Sequence, residues 1–168
     1  MKRILIALLT LCAVPAAAQN TAVGAVRPLW AQGAAYVLAA AEQMPEADYG
    51  FKPTPEVRSF GQLVGHVANA QFMICSGALG ETSTNQQNWE QITEKAALIE
   101  ALRASTAVCE RAYAQADEAA MQTMRLFGRE TTRLGALALN AAHDFEHYGN
   151  IVTYMRLKGM VPPSSQGN

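Results

Sequence analysis

The sequence predicts an all-α protein, a four-helix bundle whose helices are joined by long, crossover-type loops. Its composition is rich in Ala, Leu, Gln and Glu and has few alternating β-branched runs, which favours helices over strands. Apolar residues recur at helical spacing in four stretches, each bounded by capping residues, Gly or Pro. Four such helices are enough to enclose a single hydrophobic core.

The N-terminus has the three features of a secretory signal peptide. Lys2 and Arg3 form a basic start, residues 4–14 are an apolar run, and three alanines at 16–18 precede Gln19 as at a cleavage site. The apolar run is too short to span a membrane. We therefore expect a periplasmic or secreted protein.

Cys12 does not turn this segment into a lipid anchor, because Leu11 before it is not the small residue that lipoprotein processing requires. With residues 1–18 removed, the length that is left suits one domain. We expect that domain to cover residues 19–163, followed by a flexible tail over 164–168.

Charge argues against one class of partner. Loss of the signal peptide leaves 11 basic against 14 acidic residues and takes the formal net charge from −1 to −3. The sequence has no basic patch interleaved with aromatic residues, so nucleic-acid binding has no electrostatic basis. A small-molecule substrate is expected but not identified, and homodimerisation through helix faces is left open.

The first helix is predicted over about residues 26–44. Pro28 suits a first-turn position, because a helix needs no amide donor there, and Pro45 ends the helix. Residues 46–58, with two further prolines, form a connecting loop.

A capping box opens the second helix, in which the side chains of Ser59 and Gln62 each satisfy a free backbone amide of the other. This helix is predicted to end near Leu79, and a polar connection over 80–91 follows it. The third helix is predicted from an N-cap at Thr93 to about Gln115.

The last helix follows a less regular link over residues 116–130. Thr131 and Thr132 offer N-caps, and Gly159 followed by two prolines marks the end of the helix.

All three histidines of the chain lie on helix faces that are predicted to be buried. His143 and His147 are four residues apart, so both rings leave one face of the last helix at the spacing that lets two imidazoles hold one metal ion. His66 lies among apolar residues of the second helix. Because a buried neutral imidazole needs a partner for each ring nitrogen, we predict that the three bind one metal. The alternative is three unrelated core histidines, each bonded to a carbonyl or carboxylate.

Three neutral imidazoles would leave a coordination position open for water or substrate, as in a catalytic metal site. Imidazole suits zinc or nickel, with copper and iron left open. A metal there would lower the pKa of water to roughly 7, or ionise a thiol. Four polar residues are candidates to support the ligands: Asn69, Asp144, Glu146 and Asn150. Glu146 flanks the histidine face and is the candidate general base; the alternative is a surface or ion-pair role.

Residues 143–147 also spell H-x-x-E-H, the zinc-binding motif of inverzincin proteases. Those proteases need a further acidic ligand downstream, and no Asp or Glu follows His147. The incomplete motif argues against a protease of that type.

Cys75 and Cys109 each lie fifteen residues beyond a predicted helix start. In parallel helices they would lie at similar heights and could bridge, whereas antiparallel helices would separate them by roughly 16 Å. A connection of about twelve residues can span some 40 Å and so return along a helix. We predict a disulfide; the alternative is two buried free thiols.

Four segments resemble the DinB/YfiT-like superfamily of metalloenzymes: 51–66 (FKPTPEVRSFGQLVGH), 143–150 (HDFEHYGN), 154–157 (YMRL) and 159–163 (GMVPP). The resemblance covers nearly all of the chain after the signal peptide. It implies a four-helix bundle with a less usual, mirror-type connection order, and a metal held by His66, His143 and His147. Members with known activity include metal-dependent thiol transferases and a maleylpyruvate isomerase. The family name suggests DNA damage, but nothing in this chain supports a DNA role.

Two functions remain open. The first is a metal-dependent hydrolase or transferase that uses the three-histidine site; the second is a non-catalytic bundle that holds a metal or small molecule. Thiol cosubstrates are kept reduced in the cytosol, so a thiol transferase is the less natural enzyme in an oxidising compartment.

Overall fold

The computed structural model describes residues 21–167, and the predicted signal peptide lies outside them. The helices are α1 (Ala22–Gln43), α2 (Phe60–Leu79), α3 (Lys95–Ala112), the single-turn α4 (Asp117–Ala120) and α5 (Arg133–Leu157). Three one-turn 3₁₀ helices cover Glu46–Asp48, Trp89–Gln91 and Pro163–Ser165. The four long helices form the predicted all-α bundle.

Helices α2 and α3 run parallel to each other. Ser105 of α3 donates to Gln71 of α2, and one turn further along both helices Cys75 and Cys109 are joined by a disulfide. The predicted disulfide is therefore confirmed, together with the parallel arrangement on which it depended. The connection between the two helices runs back along the bundle, as a crossover must.

Helices α1 and α5 form a second parallel pair, in which Gly33 lies against Asp144 and Tyr36 stacks on Tyr148. The two pairs run in opposite directions, because Gln71 meets Asp144 whereas the earlier His66 meets a later residue of α5. The helix directions are thus up, down, down, up. This order brings the second and last long helices into contact.

Helix α1 begins earlier than predicted, with Thr21 as N-cap and Pro28 inside the helix. The carboxylate of Asp117 accepts hydrogen bonds from the first two amides of α1, at 2.7 and 3.1 Å. These bonds, together with the burial of Val23, stabilise the turns before the proline. The predicted start at residue 26 was wrong because the distant cap was not visible in the sequence.

The link before α5, which the sequence predicted only to be less regular, contains a β-hairpin. Strands β1 (Thr123–Leu126) and β2 (Arg129–Thr132) pair antiparallel. The two-residue turn has positive φ at both Phe127 and Gly128, as tight hairpins require. Thr132 then caps α5 by accepting from the Gly135 amide at 3.0 Å, so the second of the two predicted caps is used.

The capping box of α2 is present as predicted, with Ser59 and Gln62 bonded in both directions. Helix α3 is shorter than predicted at both ends and has Glu94, not Thr93, at its N-cap position. Across residues 21–167, no helix has the length and apolar character needed to cross a membrane.

Candidate metal centre

The histidines of α2 and α5 meet where the two helices contact each other. The Nε2 atom of His143 lies 3.2 Å from Nε2 of His66 and 3.0 Å from Nε2 of His147. One ring nitrogen from each of the three residues lies within 4.8 Å of the other two. A tetrahedral zinc ion bound at about 2.05 Å holds two nitrogens about 3.3 Å apart. The three-histidine group could therefore hold a metal ion.

The cluster lies at the rim of the core, not inside it as the helix projection predicted. The buried face of α5 runs through Asn140, Asp144 and Ile151, and the histidines lie along one edge of that face. His147 is 7% exposed and His143 is half-buried, while Leu139, one turn before His143, is 44% exposed. The reason is that α5 packs against both α1 and α2, so its buried face lies between the two contact directions.

Glu90, from the connection between α2 and α3, orients the ring of His66. Its Oε1 atom lies 2.7 Å from Nδ1 of His66, and its Oε2 atom accepts from Nε of Arg58 at 2.7 Å. A carboxylate on Nδ1 keeps the proton there and leaves Nε2 free to bind a metal. Burial acts to raise the pKa of Glu90, but the bonds from Arg58 and His66 outweigh it and lower the pKa.

The arrangement of lone pairs suits a cation. With its proton on Nδ1, His66 presents the Nε2 lone pair to the cluster. If His143 and His147 present theirs in the same way, three lone pairs converge, an arrangement that a positive ion stabilises. Nδ1 of His143 is buried and has no hydrogen-bond partner among residues 21–167.

The protonation states also suit metal binding. Burial lowers the pKa of His143 to about 4, and the charges of His147, His66 and Arg58 act in the same direction. Burial is also the main cause that lowers the pKa of His147. Both rings are therefore neutral at pH 7, which is the form that binds metals.

A family comparison covers the stretch that contains all three histidines. Residues 29–151 match the sequence model of the DinB superfamily. The chain belongs to the DinB superfamily. No curated protein matches this chain.

Two solved DinB-like structures share the fold. A DinB-like protein from Bacillus cereus ATCC 10987 superposes with a TM-score of 0.72 at 16% identity, over 82% of this chain and 93% of that one. A DinB-like protein from Bacillus subtilis gives a TM-score of 0.63 at 19% identity, over 86% and 99% of the two chains. At these identities the likeness establishes the DinB fold alone.

Asp144, next to His143 in this DinB chain, points into the core. Its Oδ2 atom accepts from the Gln71 amide at 2.9 Å, and the Gln71 carbonyl accepts from Ser105 at 2.9 Å. Burial raises the pKa of Asp144 to about 7, although the Gln71 bond lowers it. Asp144 thus belongs to a buried polar chain that links α5, α2 and α3, and among the described residues it makes no hydrogen bond to a histidine; its role in supporting the ligands stays a prediction.

The other predicted supporting residues differ in position. Asn150 lies 3.4 Å from Nδ1 of His147, and turning its amide by 180° would place the oxygen there as an acceptor. Asn69 bonds to Asn88 and to the Trp89 amide, so it holds the loop that carries Glu90. Glu146 is exposed and makes no ion pair among the described residues; its role as general base stays a prediction.

Glycine 65 explains why the Glu90 loop can lie so close to α2. A Cβ atom on Gly65 would lie 2.3 Å from the carbonyl oxygen of Trp89. The absence of a side chain lets the 3₁₀ turn Trp89–Gln91 pack directly on the helix, one residue before His66. The role of Glu90 in orienting His66 was not predicted, because residues 80–91 have no periodicity and read only as a polar connection.

Proposed function

We propose that this DinB protein is a periplasmic or secreted metalloprotein in which His66, His143 and His147 hold one divalent ion, zinc or nickel. The observation that carries the proposal is the convergence of three Nε2 atoms at a solvent-accessible rim. The lowered pKa values of His143 and His147 support it, because both rings are then neutral at pH 7, and the Glu90 bond supports it because it favours the His66 tautomer that presents Nε2.

The favoured activity is metal-dependent hydrolysis or group transfer. Three protein ligands leave room for a fourth, and a bound divalent ion would lower the pKa of a water or thiol ligand enough to supply a nucleophile at neutral pH. The protein residues supply position: Glu90 fixes the His66 ring, and α5 presents two imidazoles one turn apart. A cleft of about 550 Å³ beside His147 gives a substrate access to this rim.

A compartment outside the cytosol favours a hydrolase over a thiol transferase. The predicted signal peptide and the Cys75–Cys109 disulfide both support an oxidising location, where low-molecular-weight thiols are not kept reduced.

One observation favours a non-catalytic metal-binding protein as the second candidate. Among the described residues, the carboxylate bonded to the cluster is Glu90, and both of its oxygens are already engaged by His66 and Arg58. A base that is engaged in this way is poorly placed to accept a proton from a substrate.

Metal content tests the proposal. Purified protein, loaded separately with zinc and with nickel and then freed of loosely bound ions, should hold one ion per chain, and the His143→Ala/His147→Ala variant should hold none. Equal metal content in the two proteins would refute the site. Hydrolysis of 4-nitrophenyl acetate by the loaded wild type but not by the variant would support the enzyme; bound metal without turnover of any ester tested would support the second candidate.

A further inference from the structure

The cleft beside His147 is lined by both apolar and polar side chains. Val57, Leu63 and the ring of Tyr154 are apolar, and Arg58 and Asn150 are polar. A volume of about 550 Å³ suits a small organic molecule.

Arg58 is fixed at this cleft by two contacts. Its Nε atom donates to Glu90, and its backbone carbonyl accepts from the Tyr154 hydroxyl at 2.6 Å. A guanidinium has five N–H donors, and the Nε–Glu90 bond is the one its side chain makes among residues 21–167. The two terminal NH₂ groups of this 43% exposed side chain are therefore available to a ligand.

The charges around the cleft suit a ligand with one negative charge. The exposed Glu56 lines the cleft and Glu90 is bonded to Arg58, so two carboxylates offset the charge of the guanidinium. With a divalent ion bound by the three histidines, that ion and Arg58 together outweigh the two carboxylates by one positive charge. A dianion would bring more negative charge than the site balances.

We infer that the cleft binds a small molecule with one carboxylate, held by the terminal amino groups of Arg58, with its apolar body against Val57 and Leu63. This assignment rests on the proposed function, since the ligand would lie beside the proposed metal. The planar guanidinium fork matches a planar carboxylate through two parallel hydrogen bonds.

Calorimetric titration tests the inference with phenylacetate, its neutral isostere phenylacetamide, and phenyl phosphate, on zinc-loaded and metal-free protein. Phenylacetate should bind at least about tenfold tighter than phenylacetamide, and Arg58→Gln should weaken phenylacetate binding by about tenfold or more, because charge-assisted hydrogen bonds are lost. Arg58→Lys keeps the positive charge but lacks the planar guanidinium. Its affinity for phenylacetate should lie between those of the wild type and Arg58→Gln. Arg156→Gln, an exposed arginine on α5, should change nothing.

Phenylacetate affinity that is unchanged in Arg58→Gln, or that equals the affinity for phenylacetamide, would overturn the inference. Tighter binding of phenyl phosphate would overturn the monocarboxylate class. Zinc content is measured on every sample. A wild-type protein that does not retain zinc would refute the proposed function. A wild-type protein that retains one zinc ion per chain but binds phenylacetate no better than phenylacetamide would refute only this inference. If Arg58→Gln does not fold, the phenylacetate affinities of Arg58→Lys and the wild type are compared instead, and equal affinities would overturn the inference.

Discussion

Glu90 Oε1 lies 2.7 Å from Nδ1 of His66, which ties a loop residue to a helix residue 24 positions earlier in the chain. The bond sets which nitrogen of His66 faces the other two histidines. A connecting segment thus determines the chemistry that a helix presents, and the same carboxylate holds Arg58 at the adjoining cleft.

Replacement of Glu90 by glutamine should weaken zinc binding by about 10- to 100-fold, the range typical for loss of a carboxylate that orients a histidine ligand. Competition with a chromophoric chelator measures the change. Glu110→Gln, at an exposed position of α3, is the matched control and should bind zinc like the wild type. Equal affinity in Glu90→Gln would show that the hydrogen bond does not orient a ligand.

Substitution of Gly65 by alanine should both destabilise the fold and weaken zinc binding. The added Cβ would meet the Trp89 carbonyl at 2.3 Å, and the backbone on which Glu90 depends must move. Overpacking of this kind costs about 1–3 kcal/mol. Urea unfolding with and without zinc measures both effects.

Gly149→Ala is the control for that experiment, since a Cβ there meets nothing within 4 Å on the exposed side of α5. It should stabilise the protein by about 0.5–1 kcal/mol, because alanine is the better helix former. A Gly65→Ala protein as stable as the wild type, with unchanged zinc affinity, would contradict the packing seen at this loop.

Asp144 should make the stability of the metal-free protein depend on pH. Burial raises its pKa from 3.8 to about 7, so the folded state holds a proton that the unfolded state has lost. Its contribution to the free energy of unfolding is therefore greatest below about pH 4 and falls by up to about 1.4 kcal/mol per pH unit until about pH 7.

The lowered pKa values of His143 and His147 act in the opposite direction in acid, so the wild-type curve alone does not isolate Asp144. Asp144→Asn mimics the neutral carboxyl and should gain stability relative to the wild type as the pH rises from 4 to 7. Denaturant unfolding at several pH values measures this difference. A difference that stays constant across the range would argue against a buried, proton-binding carboxyl.

Removal of the disulfide by Cys75→Ala/Cys109→Ala should lower the free energy of unfolding by about 4 kcal/mol, given a separation of 34 residues. Guanidinium unfolding of the variant and the oxidised wild type measures the loss. Titration of thiols in the unfolded, unreduced wild type should find Cys75 and Cys109 blocked. Two reactive thiols at these positions would show that the bridge does not form in the isolated protein.

The sequence was most informative where local rules decide the structure. The His143 and His147 spacing required a shared helix face, and the Ser59 capping box set the start of α2 correctly. Equal distances of Cys75 and Cys109 from their helix starts made a disulfide possible only between parallel helices, and the structure has both the disulfide and the parallel helices.

Features that depend on distant parts of the chain could not be predicted. The turn of α1 before Pro28 relies on Asp117, which is more than 90 residues away. Glu90 and Arg58 lie in connecting segments, where neither spacing nor periodicity indicates which side chains converge. The position of the histidines at the edge of the core also depends on the directions from which α1 and α2 pack against α5.

The separation of His66 from His143, 77 residues along the chain, would link ion capture at the proposed site to the completion of folding. A nascent chain that stops short of α5 carries one histidine of the three, and a single imidazole binds metals weakly. Contacts this far apart in sequence also form late and slowly. A bound ion would thus report that the last helix has docked, and its loss would be an early sign that the bundle has begun to open.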